Sequence, residues 1–152
     1  MHMESDEHYM DLALAEARKA KLAGEVPVGA VIVSSGAVIG RGFNQPVSGN
    51  DPTSHAEIIA LREAARHQRN YRLSNAMMYC TVEPCIMCAG AIVHARIARL
   101  VFGTPDPKAG SAGSIYNVLT DPRLNHRVDV ISGICEDECA AILREFFESR
   151  RG

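Results

Sequence analysis

Apolar residues along the chain follow two alternating spacings, one typical of helices and one typical of strands. Residues 6–23 have the three- and four-residue apolar spacing of an amphipathic helix, which Gly24 ends. Two runs with many β-branched residues follow, Val28–Val33 and Ala37–Phe43, and the turn residues at 34–36 between them indicate a hairpin. The first third of the chain is therefore predicted to be a helix followed by two antiparallel strands.

Helical and strand-like segments alternate through the rest of the chain. The predicted order is helix, strand, helix, strand, strand and helix, at residues 55–68, 76–82, 85–96, 100–102, 128–132 and 135–150. The glycine- and proline-rich segment 103–114 is predicted to be a long loop. Helices that alternate with strands after an opening hairpin predict the α/β class, as a three-layer αβα sandwich with a mixed five-stranded sheet.

The domain organisation follows from the same pattern. No repeat or linker interrupts it, so a single domain is predicted over residues 4–152, with residues 1–3 containing a cloning remnant. The helix at 85–96 is apolar nearly all round, and such a helix must be covered on two sides. We therefore expect it to lie between the sheet and either another helix or a partner subunit.

Composition and charge narrow the class of protein. No uncharged apolar run approaches the length of a bilayer span, and the acidic first residues do not resemble a secretory signal, so we expect no membrane association and a cytoplasmic location. Five cysteines, an odd number in a chain of 152 residues, indicate metal binding, catalysis or packing rather than disulfides. The net charge of −2 argues against a broad basic surface for nucleic acid. A nucleic acid would have to bind a local basic patch. Two are present, one at Arg62, Arg66, Arg69 and Arg72 and one at Arg144, Arg150 and Arg151, although such clusters are also typical of solvated helix faces.

Two short motifs carry candidate metal ligands, His55-Ala56-Glu57 and Pro84-Cys85-Ile86-Met87-Cys88. Cysteines three apart share one face of a helix, and at a helix start the free N–H groups lower thiol pKa and favour the thiolate that zinc binds. Imidazole and thiolate together select zinc, and three protein ligands leave the open fourth position of a catalytic site. We therefore predict one catalytic zinc per chain, held by His55, Cys85 and Cys88.

Less specific explanations exist for these residues. A structural zinc would need a fourth ligand, for which the candidates are Cys80, Cys135, Cys139, His67, His94 and His126. Cys80 is also typical of strand packing, and Cys135 and Cys139 of helix packing.

Glu57 fits a capping box that begins at Ser54, in which it would only bond to the start of its helix. A carboxylate this close to a predicted metal ligand indicates a role in proton transfer instead of capping. A closed structural zinc site would not need a carboxylate beside it.

The two motifs resemble the zinc signature of the cytidine/deoxycytidylate deaminase superfamily. Within it, almost the whole chain resembles the bacterial tRNA-specific adenosine deaminases. The segments that carry this resemblance lie at 24–33, 55–64, 83–103, 108–114, 125–128 and 137–151. The resemblance implies the αβα deaminase fold, a homodimer, and conversion of the wobble adenosine of tRNA to inosine, with the anticodon stem-loop bound across both subunits.

The resemblance also implies roles for individual residues. His55, Cys85 and Cys88 match the zinc ligands, Glu57 the proton shuttle, and Asn44 a residue that contacts the flipped purine. The residues implied to lie near the rest of the RNA are Asp106, Lys108, Phe146, Phe147, Arg150 and Arg151. Plain turn chemistry is the alternative for Asn44, and core packing for at least one phenylalanine.

Asp106 lies in the long loop that meets the substrate in the family it resembles. A carboxylate there could accept a hydrogen bond from a ribose 2′-hydroxyl, which would favour RNA over DNA. Pro105 and Pro107 flank it and should stiffen the loop.

Two other functions stay open at this point. The first is deamination of a free base or nucleotide (guanine, cytosine or deoxycytidylate), which the zinc motifs do not separate from tRNA deamination. The loop at 103–114 and the basic C-terminal helix favour tRNA. The second is a non-catalytic, zinc-stabilised tRNA-binding module, against which the presence of Glu57 argues.

Overall fold

The nine predicted elements occur in the predicted order in the computed structural model, which describes residues 4–150 of the chain. They are α1 Asp6–Leu22, β1 Gly29–Ser34, β2 Ala37–Phe43, α2 Ala56–Gln68, β3 Met77–Val82, α3 Ile86–His94, β4 Arg99–Thr104, β5 Asp129–Ser132 and α4 Glu136–Ser149. The main difference is that β4 is longer than the predicted 100–102, because Arg99 and Thr104 still pair with β3. Residues 1–3, expected to contain a cloning remnant, and Arg151, expected to meet RNA, lie outside the described residues.

The five strands form one mixed sheet in the order β2-β1-β3-β4-β5. β1 pairs antiparallel with both β2 and β3, whereas β3, β4 and β5 run parallel. α3 connects β3 to β4, as parallel neighbours require a crossover connection. The predicted mixed five-stranded sheet is therefore confirmed, and the ends of β3 and β4 that carry the candidate site lie side by side.

Side chains of the sheet alternate between two apolar cores, as the period of a strand demands. On β1, Ala30 and Ile32 lie in the core formed with α2 and α3, whereas Val31 and Val33 lie in the core formed with α1 and α4. The two helical layers on opposite faces confirm the αβα sandwich. None of the helices within residues 4–150 has the length and apolarity needed to cross a membrane.

The apolar helix α3 keeps one face exposed in this chain. Its buried side chains are those of Cys88, Ala89, Ile92 and Val93. Ile86 at its start is 56% exposed, and a side chain added at Gly90 would meet no atom within 4 Å. The expectation of cover by the sheet and another helix is thus met in part, because α3 packs in one core with the sheet and α2, and a partner subunit on its exposed face stays a prediction.

The backbone of α2 rests directly on β2 at two glycines. A Cβ added to Gly40 would lie 2.4 Å from the carbonyl oxygen of Ala60, and one added to Gly42 would lie 2.3 Å from that of Ala56. Both distances are far inside van der Waals contact, so only glycine permits this approach. The helix that begins with the candidate site is therefore fixed against the sheet by its main chain.

We predict that Gly40→Ala destabilises the protein by about 1–3 kcal/mol, because the new methyl group must displace the α2 backbone. Urea denaturation would measure the change in the free energy of unfolding. Arg41→Ala is the matched control, since it removes an exposed side chain next to Gly40 on the same strand. It should change stability by no more than about 0.5 kcal/mol. Equal effects of the two substitutions would show that the close contact at Gly40 does not limit the fold.

Candidate metal centre and active-site cleft

His55 is positioned by the turn that leads from β2 into α2. It is the N-cap residue of α2 and makes no side-chain capping bond, so its ring is free to face the start of α3. The cap comes from Asn44, whose Oδ1 accepts a 2.9 Å hydrogen bond from the N–H of Ala56, twelve residues later in the chain. The hydroxyl of Ser54 instead donates to Asp51. The capping-box explanation of Glu57 is therefore wrong: a tertiary contact supplies the cap that the local sequence seemed to supply.

Cys85 and Cys88 lie at the start of α3, with Cys85 as its N-cap. The Nδ1 atom of His55 is 3.6 Å from the Sγ atom of Cys85 and 3.5 Å from that of Cys88. Tetrahedral zinc with Zn–S of about 2.3 Å and Zn–N of about 2.0–2.1 Å requires N···S separations of about 3.6 Å. The three predicted ligands therefore have the spacing and the donor chemistry that zinc requires.

The electrostatics of the cluster also suit a divalent cation. A hydrogen bond from the Cys88 thiol, with further help from His55, lowers the pKa of Cys85 to about 4. The Cys85 side chain is thus a thiolate at neutral pH, and a metal would take the place of the proton that Cys88 shares with it.

In the described part of the chain, no fourth protein ligand for a closed structural site accompanies these three. Within residues 4–150, His55, Cys85 and Cys88 form the one group of three or more potential ligands close enough to hold an ion. Cys80 and Cys139 are fully buried in the two cores, which confirms their packing roles. All five cysteines are free, so no disulfide competes for the sulfurs.

Glu57 is the buried carboxylate beside the metal-ligand cluster. It lies in the first turn of α2, is 4% exposed, and lines the same cleft as His55 and Cys85. Burial raises the pKa of Glu57, and the nearby sulfur of Cys85 raises it further. A carboxylic group with a raised pKa can both accept and donate a proton near neutral pH, as a general acid–base requires.

The cleft has a volume of about 610 Å³, within the range usual for small-molecule sites. It opens at the carboxyl ends of β3 and β4, where ligands of α/β proteins usually bind. Its lining residues are Val26, Val28, Asn44, Pro46, His55, Glu57, Val82, Glu83, Cys85, Pro105, Asp106, Pro107, Lys108, Ala109, Leu143 and Phe147. Seven residues predicted from the sequence are thus brought to one cavity, and Cys88 is buried directly behind it.

One wall of the cleft is the β4 loop, residues 105–114. Oδ1 of Asp106 accepts hydrogen bonds from the N–H groups of Lys108 and Ala109, at 3.1 and 3.2 Å, which closes a tight turn. The N–H of Asp106 donates to Glu83. The side chain of Lys108 is exposed at the rim. Hydrogen bonds from Ser114, Asp106 and Ala112 outweigh burial and lower the pKa of Glu83.

The opposite wall is the β2 loop, residues 44–55, and it is anchored in a similar way. Glu25 is 2% exposed and follows α1. Its two carboxylate oxygens accept hydrogen bonds from the N–H groups of Val47 and Ser48, at 3.2 and 2.6 Å. Both walls of the cleft are therefore loops held by buried carboxylates.

The C-terminal helix contributes Phe147 to the cleft, where its ring is 47% exposed. Phe146 is buried, which confirms core packing for one of the two phenylalanines. The guanidinium of Arg150 lies 4.6 Å from the centre of the Phe146 ring and donates to the carbonyl oxygen of Gly24 at 2.8 Å. Arg150 thus ties the end of α4 to the end of α1, and a role in contacting RNA stays a prediction.

Two buried glutamates, Glu25 and Glu83, were missed by the sequence analysis. Each is a charged residue directly beside an apolar strand-like run, at Glu25-Val26-Pro27 and Val82-Glu83-Pro84. A charge in such a place is rarely buried unless it is paired or hydrogen-bonded. That signal marks them as unusual, although it does not reveal which loops they hold.

The fold and the metal-ligand cluster together define a zinc-binding deaminase domain. The family model of the cytidine and deoxycytidylate deaminase zinc-binding region matches residues 3–104, which is more than half of the chain. The chain therefore belongs to the cytidine and deoxycytidylate deaminase family, as the resemblance in sequence implied. The match includes all three candidate ligands and Glu57, and it ends immediately before the β4 loop.

Individual relatives agree with this assignment. The chain is 50% identical over 149 residues to a tRNA-specific adenosine deaminase of Haemophilus influenzae, with 97% of this chain and 86% of that protein covered. It also matches the solved structure of a tRNA:A34 deaminase studied for A-to-I editing at the wobble position, with a TM-score of 0.86, 48% identity, and coverage of 90% and 99%. The guanine deaminase of Nitrosomonas europaea is more distant, at 25% identity and a TM-score of 0.83, with coverage of 96% and 86%.

We predict that Asn44→Ala lowers the free energy of unfolding by about 0.5–2 kcal/mol, because the first N–H of α2 loses its acceptor. Asn44→Asp keeps an acceptor oxygen at the same place and should preserve most of that stability. Urea denaturation of both variants at equal metal loading would measure the difference. If Asn44→Asp destabilised the protein as much as Asn44→Ala, capping of α2 would not be the stabilising contact.

Proposed function

We propose that this protein catalyses the hydrolytic deamination of the wobble adenosine in a tRNA anticodon to inosine. The observation that carries the proposal is the buried carboxylate of Glu57 in a cleft whose floor also contains His55 and Cys85. Two relatives that share 48–50% identity with this chain are a tRNA-specific adenosine deaminase and a tRNA:A34 deaminase, which supports adenosine in tRNA as the substrate. A tRNA substrate also agrees with the cytoplasmic location expected from the sequence.

The reaction replaces an amine by an oxygen. A water oxygen forms a bond to C6 of the purine, the C6–N bond breaks, and ammonia leaves while C6 becomes a carbonyl. His55, Cys85 and Cys88 would hold one zinc ion per chain. When bound, zinc supplies a Lewis acid that lowers the pKa of water from about 15.7 to about 7.

Glu57 would move the protons in this reaction. Its carboxylate takes a proton from the attacking water, gives it to the ring nitrogen next to C6, and then assists protonation of the departing amine. Burial disfavours the charged carboxylate of Glu57 and so raises its pKa above that of an exposed carboxyl group. Glu57 can therefore hold a proton after taking it from water and release it later. The side chain that shuttles the protons is thus enclosed with the reacting atoms.

The cleft walls would recognise the nucleotide around the purine. Asn44 lines the cleft, and its amide nitrogen is not used by the cap of α2, so it can donate to the base. Phe147 offers an exposed ring on which a neighbouring base can stack. Lys108, Arg150 and Arg151 are the cations proposed to meet phosphates. We further propose a homodimer, in which a second subunit covers the exposed face of α3.

We predict that Glu57→Gln lowers deamination of an anticodon stem-loop by about 10²- to 10⁴-fold, because the amide cannot transfer the protons. Inosine formation would be measured by chromatography after digestion, and zinc by elemental analysis. Zinc should stay at one ion per chain in this variant and fall in Cys88→Ser, which removes a thiolate ligand.

The matched control is Glu63→Gln, a carboxylate on the same helix that is exposed and outside the cleft. It should retain full activity. Wild-type activity on free guanine, cytidine or adenosine alone would keep the zinc chemistry but replace tRNA by a free base or nucleoside. Full zinc occupancy without any deamination would support the zinc-stabilised binding module.

We also predict that Asp106→Asn reduces the preference for an RNA stem-loop over its DNA counterpart, by weakening an acceptor for the ribose 2′-hydroxyl. The substitution leaves Oδ1 able to accept from Lys108 and Ala109, so the turn of the loop is retained. The ratio of kcat/KM for the two stem-loops is the measurement. An unchanged ratio would rule out this role for Asp106.

A further inference from the structure

Glu83 is a buried carboxylate whose hydrogen bonds are all made with the β4 loop. It follows β3 directly and is 3% exposed. Oε1 accepts from the N–H of Asp106 at 3.0 Å and from the hydroxyl of Ser114 at 2.5 Å. Oε2 accepts from the N–H groups of Ala112 and Ser114, at 2.9 and 3.0 Å. Among the ion pairs of residues 4–150, none includes Glu83, so loop donors alone satisfy its charge.

The loop backbone is wrapped tightly around this carboxylate. A Cβ added to Gly110 would lie 2.3 Å from the carboxyl carbon of Glu83, so the main chain passes directly over it. The donors come from Asp106 near one end of the loop and from Ser114 at the other. One side chain therefore fixes both ends of a loop that has no helix or strand of its own.

The segment held in this way is the part of the loop that lines the cleft. Residues 105–109 all belong to the cleft wall. Apart from its own internal turn, the hydrogen bonds that tie this segment to the sheet run through Glu83, because the N–H of Asp106 donates to it. Glu83 is therefore the side chain that ties Asp106 to the end of β3, and the loop is tied there a second time by the 2.8 Å hydrogen bond from the N–H of Ser111 to the carbonyl oxygen of Pro84.

We propose that Glu83 is a positioning residue that determines how the β4 loop meets the RNA substrate. Its own oxygens are all engaged by the loop, so it acts through Asp106 and its neighbours and not on the reacting base. The inference rests on the proposed function, because it assigns the loop to the nucleotides beside the adenosine.

The test is Glu83→Gln, which preserves the shape of the side chain but replaces one acceptor oxygen by an amide donor. At either oxygen position that donor would face an N–H group of the loop, so at least one backbone hydrogen bond to this side chain is lost. We expect hydrogen exchange at the amides of Asp106, Ala112 and Ser114 to accelerate about tenfold or more. We expect KM for the stem-loop to rise about tenfold, with kcat and zinc content at the wild-type level.

Two further variants separate this role from general destabilisation. Glu16→Gln changes another buried carboxylate, which is 3% exposed and paired with Lys19 on α1, away from the cleft. It should leave both the loop exchange rates and KM unchanged. Ser114→Ala removes one exposed hydroxyl donor to Glu83 and should shift both quantities in the same direction as Glu83→Gln, by a smaller factor.

The outcomes distinguish the inference from the proposed function. If the wild-type protein deaminates only a free base, the stem-loop assignment fails, while the exchange rates still report whether Glu83 holds the loop. Faster exchange with an unchanged KM for the stem-loop would overturn the positioning role. Loss of zinc together with kcat in Glu83→Gln, or unchanged exchange at all three amides, would overturn it as well.

Discussion

The close contact between the backbone of α2 and the glycines of β2 is the constraint on which the site depends. With no side chain at Gly40 or Gly42, the helix lies on the sheet at main-chain distance, and its first turn is fixed relative to the end of β3. That geometry brings Nδ1 of His55 within 3.6 Å of both cysteine sulfurs. Metal–ligand distances tolerate only about 0.2 Å of error, so a looser helix would not form the cluster.

The metal centre and the cleft walls are built by different physical means. The ligands lie on or directly before the first turns of two helices, and regular structure packed on a sheet holds them rigidly. The walls are irregular loops, and each is held by one buried carboxylate, Glu25 or Glu83, that accepts several backbone N–H bonds. A buried charge is tolerated there because donors surround it, and the loop is ordered without a strand or helix. The shape of the walls can therefore vary while the metal centre stays intact.

Most of the fold was predictable because local patterns specify it. Apolar spacing and turn residues located the helices and strands, and the two motifs located the three candidate ligands and Glu57. What the sequence did not reveal depends on contacts between distant segments. Ser54 and Glu57 fit a local capping box, but Asn44 supplies the cap after the β2 loop folds back. Likewise, nothing local to Glu83 indicates that a loop more than twenty residues later wraps around it.

Glu57 and Glu83 show that burial alone does not decide the role of a carboxylate. Both are almost inaccessible, at 4% and 3% exposure, and both lie along the cleft. Burial and a nearby thiolate raise the pKa of Glu57, whereas donors from Ser114 and the loop backbone lower that of Glu83 despite burial. Two acids of the same type are thereby separated, because the protonated form is favoured at Glu57 and the ionised form at Glu83. Hydrogen-bond donors, more than depth below the surface, therefore decide which of the two carboxyl groups is more easily protonated.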